Sequence, residues 1–103
     1  MKLDGPPRRG DEMPDIQLPE ILDQRAAQKV ATLLIEEIGK PIKLDASAIT
    51  RLGTIGVEML LAAQRQWQSD GVAFEVCDWS ANAEKAIATL GLSTTQFQVE
   101  VQS

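Results

Sequence analysis

The chain has no histidine, no tyrosine and a single cysteine, and aromatic residues fill only 4% of its 103 positions. Without histidine, the commonest general base and the commonest metal ligand are gone, which excludes His-dependent triads and most zinc sites. With Cys77 alone, no internal disulfide can form. No secretory segment is readable either, and the expected compartment is a reducing cytoplasm. No apolar run approaches the roughly 20 residues that span a bilayer, so direct membrane insertion is not expected. The shortage of aromatics implies a mostly aliphatic core.

What is present is a hydrophobic content of 44%, and acids exceeding bases 15 to 10 for a formal charge of −5. A chain of this length holds one domain, and it buries roughly 60–70% of its unfolded surface without help from metal or disulfide. The acidic balance argues against nucleic acid, because phosphate binding needs clustered Lys and Arg. It suits docking onto another protein. MKLDGPPRRGDEMPD, residues 1–15, is dense in proline, glycine and charge and reads as a disordered tail, leaving residues 16–103 as the domain.

Ile16 and Leu18 alternate with polar neighbours, a short strand stopped by Pro19. Asp23 can cap a helix to about position 38, with Ala26, Ala27, Val30, Leu33, Leu34 and Ile38 as its apolar stripe. Gly39 ends that helix and Pro41 keeps it from resuming. Residues 42–45 read as a strand. A second helix is expected over about 54–68, burying Val57, Leu60, Leu61 and either Gln64 or Trp67, followed by a turn at 69–71. A strand over 72–77 and a helix from the cap Ser80 to Leu90, closed by Gly91, come next. Phe97, Val99 and Val101 alternate with polar residues as a last strand. Strand–helix–strand units of this length predict an α/β domain with a mixed, largely parallel sheet and helices packed against it.

Ligands collect at the carboxyl ends of strands in such sheets, and Thr54 stands there, between Gly53 and Gly56. Its hydroxyl has two readings. As a helix cap it accepts a backbone N–H, worth about 1 kcal/mol. As a phosphoacceptor it would carry roughly −1.5 to −2 charges at the positive end of a helix and repel a docked partner. GTIGVEM lacks both the spacing and the lysine of a phosphate-cradling loop. Asp45, Glu58 and Asp78 are candidate carboxylates that no motif pairs, so enzyme activity is not expected, and no cofactor or metal is implied. Cys77 reads as a small buried apolar residue rather than a nucleophile. Trp67 and Trp79 are each either packing residues or interface anchors.

Leu44-Asp45-Ala46-Ser47-Ala48-Ile49, followed by Gly53-Thr54-Ile55-Gly56-Val57, resembles the signature of the STAS domain, named for sulfate transporters and anti-sigma factor antagonists. The resemblance covers roughly residues 18–92 and includes Leu22-Asp23, Asp70-Gly71 and Leu90-Gly91-Leu92. It implies a STAS-like fold, with Asp45 and Ser47 at the strand end, Thr54 at the phosphorylatable position and Gly56 at the helix start. Two positions depart from the pattern: Gly53 replaces an aspartate and Ile55 a small residue. Losing that aspartate leaves phosphorylation open, whereas docking depends on the loop and the helix face. By resemblance the role is non-catalytic: docking on an ATP-dependent kinase, for instance a chemotaxis histidine kinase, and tuning phosphoryl signalling. The docking face would hold Asp45, Ser47, Gly53, Thr54, Gly56, Glu58, Leu61 and Arg65. Small subunits of lipid-transport ABC systems and anti-sigma factor antagonists in a partner switch are similar too. A module binding a nucleotide or small anion near Gly53 is a third possibility.

Overall fold

The computed structural model describes residues 15–100. Residues 1–14 of the tail expected over 1–15, and Val101 of the expected last strand, lie outside them, while Asp15, expected in that tail, opens the first strand. The elements run β1 (Asp15–Gln17), β2 (Ile21–Leu22), α1 (Gln24–Ile35), β3 (Ile42–Asp45), β4 (Arg51–Leu52), α2 (Thr54–Asp70), β5 (Phe74–Cys77) and α3 (Ala81–Thr89), then a 3₁₀ helix at Thr94–Phe97.

Both sheets are parallel. One has three strands in the order β1-β3-β5, and the other joins β2 to β4. The fold is therefore α/β, with helices linking parallel strands as the alternation of patterns predicts. In β3 and β5, Ile42, Leu44, Phe74 and Val76 are buried, while Lys43, Asp45, Glu75 and Cys77 on the other face are half-buried. The buried set joins Val30 and Leu34 of α1 and Val57, Leu60 and Trp67 of α2 in one core. That core is mostly aliphatic, yet its three largest fully buried side chains are Trp67, Phe74 and Phe97.

The local signals for helix ends hold. The Asp23 carboxylate accepts the Ala26 N–H at 2.9 Å and starts α1. Ser80 Oγ accepts the Ala83 N–H at 3.1 Å and starts α3. Gly71 and Gly91 take the left-handed conformation, at φ of +68° and +78°, that closes the second and third helices.

Several expectations need correction. Helix α1 stops at Ile35 rather than near 38, and Leu33 and Ile38 are exposed at 47% and 45% instead of lying in the buried stripe. Helix α2 runs on through Ser69 and Asp70, because Gly71, not the preceding pair, makes the turn. The third long strand starts at Phe74 rather than 72. The short pair β2–β4 has no sequence signature, since two residues carry no periodicity. Among the described residues the last expected strand does not form. Phe97 ends the 3₁₀ helix, where the Ser93 N–H donates to Gln96 Oε1 at 2.8 Å, and only Val99 pairs, antiparallel to Phe74. Alternation over so few residues is satisfied equally by a tight turn that buries Phe97 and a single bridge that half-buries Val99.

Candidate functional site

The segment that delivers Thr54 is fixed from two sides. Leaving β3, Ala46 is buried and donates its N–H to the Cys77 carbonyl at 2.9 Å. Ser80 Oγ donates to the Ile49 carbonyl at 2.6 Å, and the Ser80 N–H donates to the Ala46 carbonyl at 3.3 Å. These bonds clamp the loop to the β5–α3 connection. On the other side the Glu20 carbonyl accepts the Thr50 N–H at 2.7 Å, the Thr50 hydroxyl at 3.1 Å and the Arg51 N–H at 3.1 Å. Strand β4 then pairs with β2, and the Gly53 N–H donates to the Leu22 carbonyl at 3.2 Å.

Gly56 explains the close seating of the helix start. A Cβ built there would lie 2.8 Å from the Leu22 carbonyl oxygen and 2.9 Å from Leu22 Cγ, closer than real Cβ contacts come. Glycine at this position lets the first turn of α2 rest directly on β2.

Thr54 is not the cap. Gly53 is, in an extended conformation (φ −84°, ψ 166°), and its carbonyl accepts the Val57 N–H at 3.1 Å. Thr54 is the first helical residue, exposed, and its hydroxyl makes no hydrogen bond among the described residues. The amides of Thr54, Ile55 and Gly56 have no carbonyl one turn earlier to reach, and glycine offers no side-chain cap. The helix therefore starts on an uncapped turn with a free hydroxyl.

Asp45 and Ser47 come together but do not reach Thr54. The Asp45 carboxylate accepts the Ser47 N–H at 2.9 Å, an Asx turn that shapes the start of the loop. That backbone bond, then the Ser47 hydroxyl, holds the carboxyl below its ordinary range against partial desolvation, and Lys43 adds a little. A depressed pKa means that the bond contributes stability above the unfolded-state value, which is lost as pH falls through the folded one. Removing the carboxylate, Asp45→Ala, is expected to speed hydrogen exchange at the Ser47 amide; unchanged protection there would show that the turn stands without it.

Along α2, Thr54, Glu58, Leu61 and Arg65 fall on one stripe by helical spacing. Glu58 and Arg65 are exposed, while Leu61 is half-buried and packs against the core, so it presents only part of its side chain. Trp67 belongs to the interior: it is 1% exposed and donates Nε1–H to the Lys40 carbonyl at 2.7 Å. Gln64 is half-buried and donates to the Gln98 carbonyl at 3.1 Å. Trp79 meets Phe97 edge-on, ring centroids 5.3 Å apart, which is a packing role.

Cys77 is half-buried, with Sγ 3.6 Å from the Leu44 carbonyl. Burial first, then the neighbouring Asp78 carboxylate, pushes its thiol up to about 11. Thiolate is the reacting form, so at neutral pH alkylation by iodoacetamide is expected to run about a hundredfold slower than for a free cysteine. A rate equal to that of glutathione would contradict this placement.

Sequence reasoning noted Ile55 only as a departure from the motif and missed Ile21, and both are exposed isoleucines. Ile55, in the first turn of α2, and Ile21, on the strand that seats that turn, are each 46% exposed. The signal was available: an isoleucine directly after Thr54 lies off the stripe of Val57, Leu60 and Trp67. Also missed was a shallow apolar groove of about 200 Å³ between α1 and α2, bordered by Ala31, Ile35, Met59 and Ala62. Among the described residues, no three metal-ligating side chains gather, and no helix is long and apolar enough to cross a membrane.

Compared with known proteins, the chain matches no family model, and no curated protein or solved structure is significantly similar to it.

Proposed function

We propose that this chain is a non-catalytic, STAS-like signalling protein of the cytoplasm that docks on a protein kinase and tunes phosphoryl transfer, a chemotaxis histidine kinase being the partner class to test first. The observation that carries the reading is the exposed hydroxyl of Thr54 on the uncapped first turn of α2. Next to it in the first turn is Ile55, exposed and apolar, and along its stripe of the helix are Glu58 and Arg65, exposed and charged. An apolar centre with a charged rim is the usual make-up of a specific protein interface. The parallel α/β frame and the order of its helices support the STAS-like reading, as does the motif at residues 44–57.

Docking needs no chemistry from this chain. Asp45 and Ser47 shape the loop, Gly53 opens the helix, Gly56 lets the turn sit close to β2, and Thr54 stands at the centre. A phosphoryl group on Thr54 would meet three amides without helical partners and a positive helix end, and would add roughly −1.5 to −2 charges to the contact. That charge sets docking against release.

Titration of a purified chemotaxis histidine kinase with the labelled protein tests this. Micromolar binding is expected, with Thr54→Glu weakening it about tenfold or more (about 1.4 kcal/mol) and Thr54→Ser leaving it within a factor of about two. No complex at about 100 µM would overturn the partner class. Equal affinity of wild type and Thr54→Glu would overturn the role of Thr54. Mass spectrometry after incubation with that kinase and ATP separates phosphorylation from docking alone.

A further inference from the structure

We propose that the groove between β1 and α1 receives an extended segment of a partner protein, laid alongside β1 and carrying carboxylates around an apolar side chain. The proposal is independent of Thr54.

Strand β1 is one edge of the three-stranded sheet. The opposite edge, β5, is met by the chain itself where Phe74 and Val99 exchange hydrogen bonds of 3.1 and 2.8 Å. No described residue does the same for β1. Backbone groups in a strand point alternately to its two sides. Leu18 donates its N–H to the Asp45 carbonyl at 2.9 Å, so Ile16 and Leu18 address β3. The amides and carbonyls of Asp15 and Gln17 therefore face outward. Pro19, with no N–H, ends the edge. Three residues with a proline behind them make a short edge, one that pairs with a peptide weakly and does not seed aggregation.

Beside that edge runs a groove of about 350 Å³ that includes Pro19, Ala26, Val30 and Leu33. Leu33 is 47% exposed although it lies on a helix flank beside the sheet. Arg25 and Lys29, one turn apart, border the groove and pair with no carboxylate among the described residues. Asp23 also borders it, but its carboxylate is taken by the Ala26 amide as the cap of α1. In a chain of net charge −5, two cations on successive turns beside an apolar floor are a local exception. An acidic, extended segment with a central leucine or valine fits all three features. Its backbone pairs with Asp15 and Gln17, its apolar side chain covers Leu33 and Val30, and its carboxylates meet Arg25 and Lys29. Strand addition of this kind takes affinity from main-chain bonds and selectivity from the pockets.

Nitrogen-15 spectra of the full chain, titrated with the peptide Thr-Glu-Thr-Leu-Thr-Glu, whose carboxylates and leucine share one face of an extended strand, test the proposal. Saturable shifts are expected at the amides of Asp15 and Gln17 and at Ala26, Val30 and Leu33, with a Kd of about 10–500 µM, in the range of small transient contacts. Replacing every acid of the peptide by lysine, or methylating alternate backbone nitrogens, should remove the shifts. The double variant Arg25→Glu, Lys29→Glu should weaken binding about tenfold or more. Both side chains are exposed, so unchanged shifts elsewhere in its spectrum certify the fold. Three results overturn the proposal: equal response to the acidic and basic peptides, no saturable shift up to about 1 mM, or cross-strand contacts in the free protein between β1 and residues 1–14. The last would mean that the chain covers its own edge.

Discussion

Gly56→Ala is expected to lower the unfolding free energy by about 1–3 kcal/mol, although alanine is the better helix former by roughly 0.8–1 kcal/mol. The two effects oppose each other, and distance decides between them. The new methyl would stand 2.8 Å from the Leu22 carbonyl oxygen and 2.9 Å from Leu22 Cγ. A side chain turns away at little cost, but a backbone oxygen in a strand pair does not. The carbonyl also accepts the Gly53 N–H at 3.2 Å, so moving it loosens the bond that leads into α2. Urea denaturation provides the measurement: a lower midpoint with an unchanged slope is expected. Equal or greater stability would show that the first turn of α2 is not pressed on β2. Gly53→Ala is the control. Its Cβ would meet only the Leu22 carbonyl oxygen, at an ordinary 3.7 Å, and the backbone there suits any residue. A smaller cost of about 0.5–1 kcal/mol, the preference of an N-cap for glycine over alanine, is expected. Because Thr54 rides on the same turn, Gly56→Ala should also weaken kinase docking, and Gly53→Ala should not.

The second large effect lies at the far end of the same helix. Trp67→Ala is expected to cost about 3–5 kcal/mol. The ring is 1% exposed and packs on Phe74 with centroids 5.6 Å apart. Its indole N–H donates to the Lys40 carbonyl at 2.7 Å, tying the last turns of α2 to the connection between α1 and β3. Alanine removes the packing and leaves that carbonyl without its donor. Domains of this size are stable by about 5–15 kcal/mol in total, so the variant should be marginal at 25 °C. Trp67→Phe keeps most of the volume and loses the hydrogen bond, an expected change of about 1–2 kcal/mol. If Trp67→Ala unfolds within about 1 kcal/mol of wild type, the indole is not the anchor described.

Sequence patterning read the long elements well and the short ones poorly. The stripe at Ala27, Val30 and Leu34 is the buried face of α1, and β3 falls over the expected residues. Asp23 and Ser80 act as caps because each stands directly before its helix and offers an oxygen to an amide three residues on. Thr54 has the same composition cue but a different role. An extended Gly53 already supplies the carbonyl that opens α2, so the helix begins with the threonine inside its first turn. Leu33 and Ile38 fit the apolar stripe yet are exposed, because periodicity reports the direction of a side chain and not whether a neighbour covers it. The exposure of Ile21 escapes periodicity for the converse reason.

The sequence by itself determined the α/β class, built on aliphatic strands and amphipathic helices, and a composition with no histidine and one cysteine. Hydrophobic period and helix-end residues act over a few positions, so they are legible in the order of the residues. The tertiary structure alone decided that Leu22 sits against Gly56, that the Thr54 hydroxyl stands free, that Trp67 reaches Lys40, and that β1 remains an edge among the described residues. Each of these joins or separates residues far apart in the chain, and contacts of that range are set by how the layers pack rather than by any local pattern.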